Sequence, residues 1–190
     1  MRPRDESKRV AIAEAAIELI TALGFSNTSM AKIAEAAGVS PATIYLYFEN
    51  REDLINKLYL LVKREISASL LLGCDASYGA EENFRTIWNN IRRVMMEHKV
   101  KYLFSEQFTN SPWINKVSQE EVRSYFLPLR ELYEMGRARE VFKDLPFEVF
   151  IAIGYAPLMW LVKMSYNGCY ELTDEMLRVC YETSWKAVTR

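Results

Sequence analysis

The most informative part of the sequence runs from Thr28 to Leu54, where two short helical patterns flank a tight turn. Ser29 and Ser40 stand just before these patterns, at positions that favour a helix N-cap. Ala34 is small enough for two helices to cross closely, and Gly38 tolerates the positive φ that the turn needs. The arrangement is typical of a helix-turn-helix, whose second helix enters the major groove of DNA.

The second helix of this pair has an inner and an outer face. We predict that it begins at Ser40-Pro41, where proline suits the first helical position, and that it ends near Phe48. Ile44 and Phe48 lie four residues apart and can both point into the core. The outer face then contains Ala42, Thr43, Leu46 and part of Tyr45 and Tyr47.

The outer face predicts two kinds of contact with DNA. Ala42 and the Thr43 methyl group can touch thymine methyls, and the Thr43 hydroxyl can bond a base edge. Tyr45 and Tyr47 suit phosphate oxygens better than bases. Further cations that could neutralise phosphates are Lys32, Arg51 and an N-terminal arm with Arg2, Arg4, Lys8 and Arg9.

Charge alone gives no sign of a nucleic-acid partner. The 190-residue chain has a net charge of −1, and residues 1–72 hold nine basic and nine acidic side chains. A neutral domain can still bind DNA when its acids face away, with help from a dimer and from helix dipoles. A compact helical hairpin without any DNA role has the same spacing, so the pattern by itself leaves both interpretations open.

The remaining sequence is helical almost throughout, and it predicts an all-α fold. Val10, Ala13, Ile17 and Ile20 recur at helical spacing before Gly24, and a long helix is predicted from about Arg51 to Leu72. Pro128 and Pro157 fall inside apolar helical patterns and predict kinks. The other predicted helices are residues 30–37, 81–98, 101–109, 118–136, 147–166 and 173–188.

Residues 8–60 resemble the TetR family of bacterial transcription regulators. The resemblance is carried by Ile33-Ala34, Ala37-Gly38-Val39-Ser40, Thr43-Ile44-Tyr45, Tyr47-Phe48, Arg51 and Asp53-Leu54. It implies a three-helix DNA-binding domain at residues 1–50 and a helical ligand-binding and dimerisation domain at residues 51–190. The family's DNA contacts carry over to Ala31, Pro41, Ala42, Thr43, Tyr45 and Tyr47, with Arg51 on a phosphate.

Two features depart from the family pattern. The family usually has lysine at the position of Arg51, and arginine keeps the charge but changes the geometry. Ala31 and Ala42 are small and apolar, so they offer no side-chain hydrogen bond to a base.

The C-terminal two thirds are rich in aromatic residues and methionine. These residues can form a core and a dimer interface, or they can line a pocket for an apolar or aromatic small molecule, which TetR-like proteins usually have. From position we predict that the pocket residues are Trp88, Met95, Phe104, Phe108, Tyr125 and Trp160. Helices near 147–166 and 173–188 are predicted to pair two copies across a two-fold axis, the alternative being that they only close the core of one copy.

Enzymatic, metal and membrane roles find little support. One histidine, His98, and three scattered cysteines make neither a catalytic set nor a zinc site, and we find no cofactor motif. The apolar run from Val149 to Val162 is shorter than the roughly 20 residues that a membrane-spanning helix needs. The scattered cysteines favour a reduced, cytoplasmic protein.

The sequence therefore predicts a homodimeric repressor on a pseudo-palindromic operator, with recognition helices about 34–36 Å apart. A small apolar or aromatic effector would move the helix at 51–72 and release the DNA. The alternative is a helical carrier or adaptor that has lost DNA binding, which the neutral charge of residues 1–72 supports.

Overall fold

The computed structural model describes residues 5–112, 119–168 and 170–190, and in these ranges the chain is helical without a β-strand. The predicted all-α fold is confirmed. Arg2, Arg4, Cys169 and the start of the helix predicted at 118 lie outside the described residues. The helices are α1 (Glu6–Leu23), α2 (Met30–Ala36), α3 (Pro41–Ile44), α4 (Arg51–Leu71), α5 (Ala80–Glu97), α6 (Lys99–Thr109), α7 (Gln119–Tyr125), α8 (Leu127–Ala138), α9 (Phe147–Gly154), α10 (Ala156–Ser165) and α11 (Asp174–Val188).

The chain forms two compact units. The N-terminal unit contains residues up to Glu65 together with 99–122, and the C-terminal unit contains 66–98 together with 123–190. This division follows packing within the chain. The boundary predicted after residue 50 divides a DNA-binding domain from a ligand-binding and dimerisation domain, and it stays a prediction.

The core of the N-terminal unit is built from the apolar stripes of α1, α2 and α4. Ile12, Ile20, Ile33 and Leu54 are completely buried, as helical spacing predicted for α1 and α4. α6 packs along α1, so the N-terminal unit includes a helix that the sequence-based domain boundary assigned elsewhere.

Three predicted helices differ from the observed ones. The helix predicted from Pro41 to Phe48 ends at Ile44, and the predicted helices 118–136 and 147–166 are each divided in two. Pro128 and Pro157 lie in the first turns of α8 and α10, where a missing N–H is tolerated. The kinks predicted at these prolines are therefore confirmed as helix breaks.

No single helix in the described ranges is long and apolar enough to cross a membrane, whereas the bent pair α9–α10 reaches the required length and composition only when its two helices are taken together.

The C-terminal unit has an aromatic core between α5, α8 and α9. The rings of Phe84 and Tyr155 stack with centroids 4.7 Å apart, and those of Tyr133 and Phe150 lie 4.4 Å apart. Aromatic rings bury large apolar areas and add favourable edge and face contacts. Many of the aromatic residues of the C-terminal unit are therefore core residues.

Gly136 makes close packing of this core possible. A Cβ atom added at Gly136 would lie 2.3 Å from the Phe142 ring, which is itself almost fully buried. The ring cannot retreat easily because it also packs against Tyr133 and Phe150. Only glycine fits at this point of α8.

We expect Gly136→Ala to lower the free energy of unfolding by about 1–3 kcal/mol, because the added methyl group overpacks the aromatic core. Urea denaturation followed by circular dichroism measures the change. Gly79→Ala is the matched control, since a Cβ there meets no atom within 4 Å, and its effect should stay within about 1 kcal/mol. Equal stability of Gly136→Ala and the wild type would contradict this account of the core.

Candidate nucleic-acid interface

The helix-turn-helix is held together by caps and by the turn at Gly38. The side chains of Ser29 and Ser40 accept hydrogen bonds from the amides of Lys32 and Thr43, at 3.3 and 3.2 Å. Gly38 has φ +64°, a conformation that other residues rarely adopt. Beyond it the Val39 amide donates to the Ala34 carbonyl at 2.9 Å, which returns the chain towards α2.

The inner face of α3 is anchored as the sequence predicts. Ile44 is fully buried and Phe48 is 4% exposed. Beyond Ile44 the backbone continues in tight turns, since Leu46 and Tyr47 donate to carbonyls three residues earlier. The β-branched and aromatic residues of this segment have only modest helix propensity, which accounts for the short helix. The turns nevertheless keep Phe48 on the inner side.

The outer face of α3 and its following turn is open to solvent. Pro41 and Ala42 are exposed, Tyr45 is 55% exposed and Leu46 is 62% exposed. Thr43 and Tyr47 are partly buried, and Ala31 on α2 is exposed. This is a convex, uncharged surface that a groove of DNA can receive.

The hydroxyl groups of Ser40 and Thr43 form a pair, with their oxygens 2.8 Å apart. One hydroxyl donates to the other, while Ser40 Oγ also accepts from the Thr43 amide. One hydroxyl hydrogen of the pair therefore remains for a partner outside the protein.

The residues predicted to bind phosphates also hold the framework together. Lys32 Nζ donates to the Asn27 carbonyl at 2.9 Å, and the Arg51 guanidinium donates to the Phe25 carbonyl. Lysine and arginine carry further N–H groups, so these bonds do not exhaust their donors. They do fix both cations beside the link between α1 and α2.

Tyr47 is tied to the start of α1. Its hydroxyl donates to the Asp5 carbonyl at 3.0 Å. The Asp5 carboxylate caps α1 by accepting from the Ser7 hydroxyl and amide, and these bonds lower the pKa of Asp5. Lys8 is exposed, whereas Arg9 pairs with Glu6.

The sequence analysis predicted the start of α4 at Arg51 but missed the side chains that cap it. Asn50 Oδ1 accepts from the Asp53 amide at 2.9 Å, and Asp53 Oδ2 accepts from the Glu49 amide at 3.0 Å. These two bonds cap the start of α4 in a way that resembles a capping box, except that Asp53 accepts from the residue before the cap. The Asn-x-x-Asp spacing before an apolar run was the signal available in the sequence.

α6 supports the helix-turn-helix from inside the N-terminal unit. Gln107 Nε2 donates to the Thr21 carbonyl at 3.1 Å, near the end of α1. The Phe25 ring lies 6.3 Å from Phe104 and 6.1 Å from Phe108, and Tyr59 of α4 stacks on Phe108 at 4.0 Å. α6 thus contacts α4, the end of α1 and the link that leads from α1 to α2.

The six predicted pocket residues are divided between the two units. Phe104 and Phe108 are buried in the N-terminal unit. Trp88 and Met95 are buried on α5 of the C-terminal unit, where Tyr125 is partly buried and Trp160 is 62% exposed. Their role as ligand contacts stays a prediction.

The predicted dimer helices line an open apolar groove of about 700 Å³ on the C-terminal unit. Val179 is 47% exposed there. Gly154 is buried against Phe84 and serves internal packing. Residues of the groove on α9, α10 and α11 include Ala152, Ile153, Leu161, Met176 and Val179.

Comparison with known proteins matches both parts of the chain to one family. Residues 12–58 match the family described as bacterial regulatory proteins, tetR family, and residues 80–189 match a tetracyclin repressor-like C-terminal domain. A curated HTH-type transcriptional regulator of Bacillus subtilis, YdeS, is 26% identical over 193 residues, which is 98% of this chain and 92% of that protein.

Two solved structures share the fold over nearly the whole length. A TetR family regulator from Marinobacter aquaeolei VT8 is 31% identical with a TM-score of 0.89, covering 100% of this chain and 99% of that one. A regulator described as a putative TetR family protein from Vibrio parahaemolyticus is 31% identical with a TM-score of 0.85, covering 96% and 99%.

The matches favour a regulator over the carrier that the sequence left open, and over an enzyme. TetR-family regulators bind DNA operators and act as dimers. On the evidence of both matched regions and of these structures, the chain belongs to the TetR family of DNA-binding transcription regulators.

Proposed function

We propose that this protein is a ligand-responsive repressor that acts in the cytoplasm, where its operator DNA is found. The observation that carries the proposal is the outward face of α3, which is exposed at Ala42, Tyr45 and Leu46 while Ile44 and Phe48 anchor it from behind. A short helix held in this way can enter a major groove without any rearrangement of its own core. The proposed DNA contacts are Ala31, Lys32, Pro41, Ala42, Thr43, Tyr45, Leu46, Tyr47 and Arg51.

The proposed dimer is formed through α9, α10 and α11. The groove along these helices is apolar and open, and Val179 leaves nearly half of its side chain in solvent. A second copy related by a two-fold axis would present the same groove and cover both. Two recognition helices would then meet a pseudo-palindromic operator in successive major grooves, about 34–36 Å apart.

We further propose that an apolar or aromatic effector controls DNA binding through α6 and α4. α6 bonds the end of α1 through Gln107, and its Phe108 ring stacks on Tyr59 of α4. A shift of α6 would therefore be transmitted to the end of α1. To change the ratio of the DNA-binding to the released conformation from 99:1 to 1:99, the effector must bind the released conformation about 10⁴-fold more tightly.

We expect Ala42→Glu to weaken operator binding by at least about tenfold, because a carboxylate on the outer face of α3 meets phosphate charge. Fluorescence anisotropy with a duplex enriched from a random pool by the wild-type protein measures the affinity. Ala68→Glu on α4 is the matched control, being another exposed alanine. Unchanged affinity of Ala42→Glu would exclude this face from the interface.

We expect Val179→Asp to convert the dimer into monomers, since a two-fold axis would bring two unpaired carboxylates into an apolar interface. Light scattering coupled to size-exclusion chromatography measures the mass. Val100→Asp changes a valine of similar exposure at the start of α6 and should leave the dimer intact. A dimeric Val179→Asp protein would place the interface elsewhere.

We expect at least one member of a panel of planar aromatic and medium-chain aliphatic compounds to release labelled operator from the wild-type protein. Gln107→Ala should bind the same compound but release the DNA less readily, because the bond from α6 to α1 is lost. Asn110→Ala is the control, since its side-chain amide donates to the Glu106 carbonyl of α6 and not to α1. Retention of the operator with every compound would argue against an effector of this class.

A further inference from the structure

We infer that the recognition segment, residues 41–48, reads its operator mainly by apolar contact with the 5-methyl groups of thymine, through Ala42 and Leu46. The inference rests on the proposed DNA-binding role of α3, and it adds the chemistry by which sequence is discriminated. Thymine is the base that displays a methyl group in the major groove, so such a surface selects thymine at defined positions.

The first argument is the composition of the exposed surface. Between Pro41 and Phe48 the chain carries no charged, amide or imidazole side chain. The bidentate contacts of arginine with guanine and of asparagine or glutamine with adenine therefore cannot come from this segment. What it does present is the Ala42 methyl group and the Leu46 side chain, which is 62% exposed.

The second argument is that neighbouring polar groups are already engaged. Lys32, Tyr47 and Arg51 each donate to a backbone carbonyl of the N-terminal unit. Their bonds hold these side chains towards the framework around α1, and any remaining donors suit phosphates, which carry no sequence information.

The third argument concerns the hydroxyl groups. The Ser40–Thr43 pair retains a single hydrogen for donation, and thymine O4, guanine O6 and purine N7 all accept such a bond. One donor of this kind distinguishes bases poorly. The Tyr45 hydroxyl sits on an exposed ring and suits the phosphate backbone. Discrimination is left to the apolar contacts.

The test removes the methyl group and nothing else. A duplex enriched from a random pool by the wild-type dimer is resynthesised with deoxyuridine in place of each thymine in turn, and affinity is measured by fluorescence anisotropy. We expect a loss of about fourfold for each contacted methyl group, the value for burying one such group. Replacement at thymines outside the half-sites should leave the affinity unchanged.

Substitution of Leu46 tests whether its side chain makes one of the methyl contacts. Leu46→Ala should weaken binding to the thymine duplex and should remove the penalty for deoxyuridine at the position that Leu46 covers. Leu72→Ala is the matched control, because Leu72 is 61% exposed and follows α4, outside residues 41–48. That variant should keep both the wild-type affinity and the deoxyuridine penalty.

Two results would overturn the inference, and they differ from each other. If a sequence is enriched but its deoxyuridine form binds equally well, methyl readout is wrong while the DNA-binding role stands. If no sequence is enriched at all, the proposed role of α3 fails and the readout fails with it.

Discussion

The recognition segment depends on the burial of Ile44 and Phe48 beneath α3. Four helical residues and a turn have too few internal hydrogen bonds to be stable alone, so tertiary packing must hold them. These two side chains supply that packing from one side, and the Ser40 cap fixes the entry of the chain. Because burial of Ile44 and Phe48 fixes the inner face, the opposite face of the segment stays exposed to solvent.

A second constraint is the use of backbone carbonyls as anchor points. Asp5, Phe25 and Asn27 lie at the start of α1 or in the link after it, and each accepts from a side chain of the DNA-binding region. These bonds satisfy carbonyl groups near helix ends and immobilise the donors at the same time. The positions of Tyr47, Arg51 and Lys32 are thus coupled to α1, and through Gln107 to α6.

The C-terminal unit solves a different problem, which is to pack many large rings without voids. A Cβ atom at Gly136 would collide with the Phe142 ring, and Gly154 lets the Phe84 ring approach the backbone closely. Apolar residues of α9, α10 and α11 that lie outside this core line an open groove. An exposed apolar groove is typical of an interaction site.

Local sequence patterns predicted a helical chain, the caps at Ser29 and Ser40, the turn at Gly38 and the inward direction of Ile44 and Phe48, but not the end of α3 or the division of two long helices. These features depend on local spacing and on backbone preferences, which neighbouring residues fix. The packing of the helices decided the rest: Lys32, Tyr47 and Arg51 bond backbone carbonyls that lie just before or just after α1, α6 belongs with the DNA-binding helices, and the predicted pocket residues are divided between two units. Such contacts join residues separated by 5 to 86 positions, and no local pattern encodes them because they arise when helices pack.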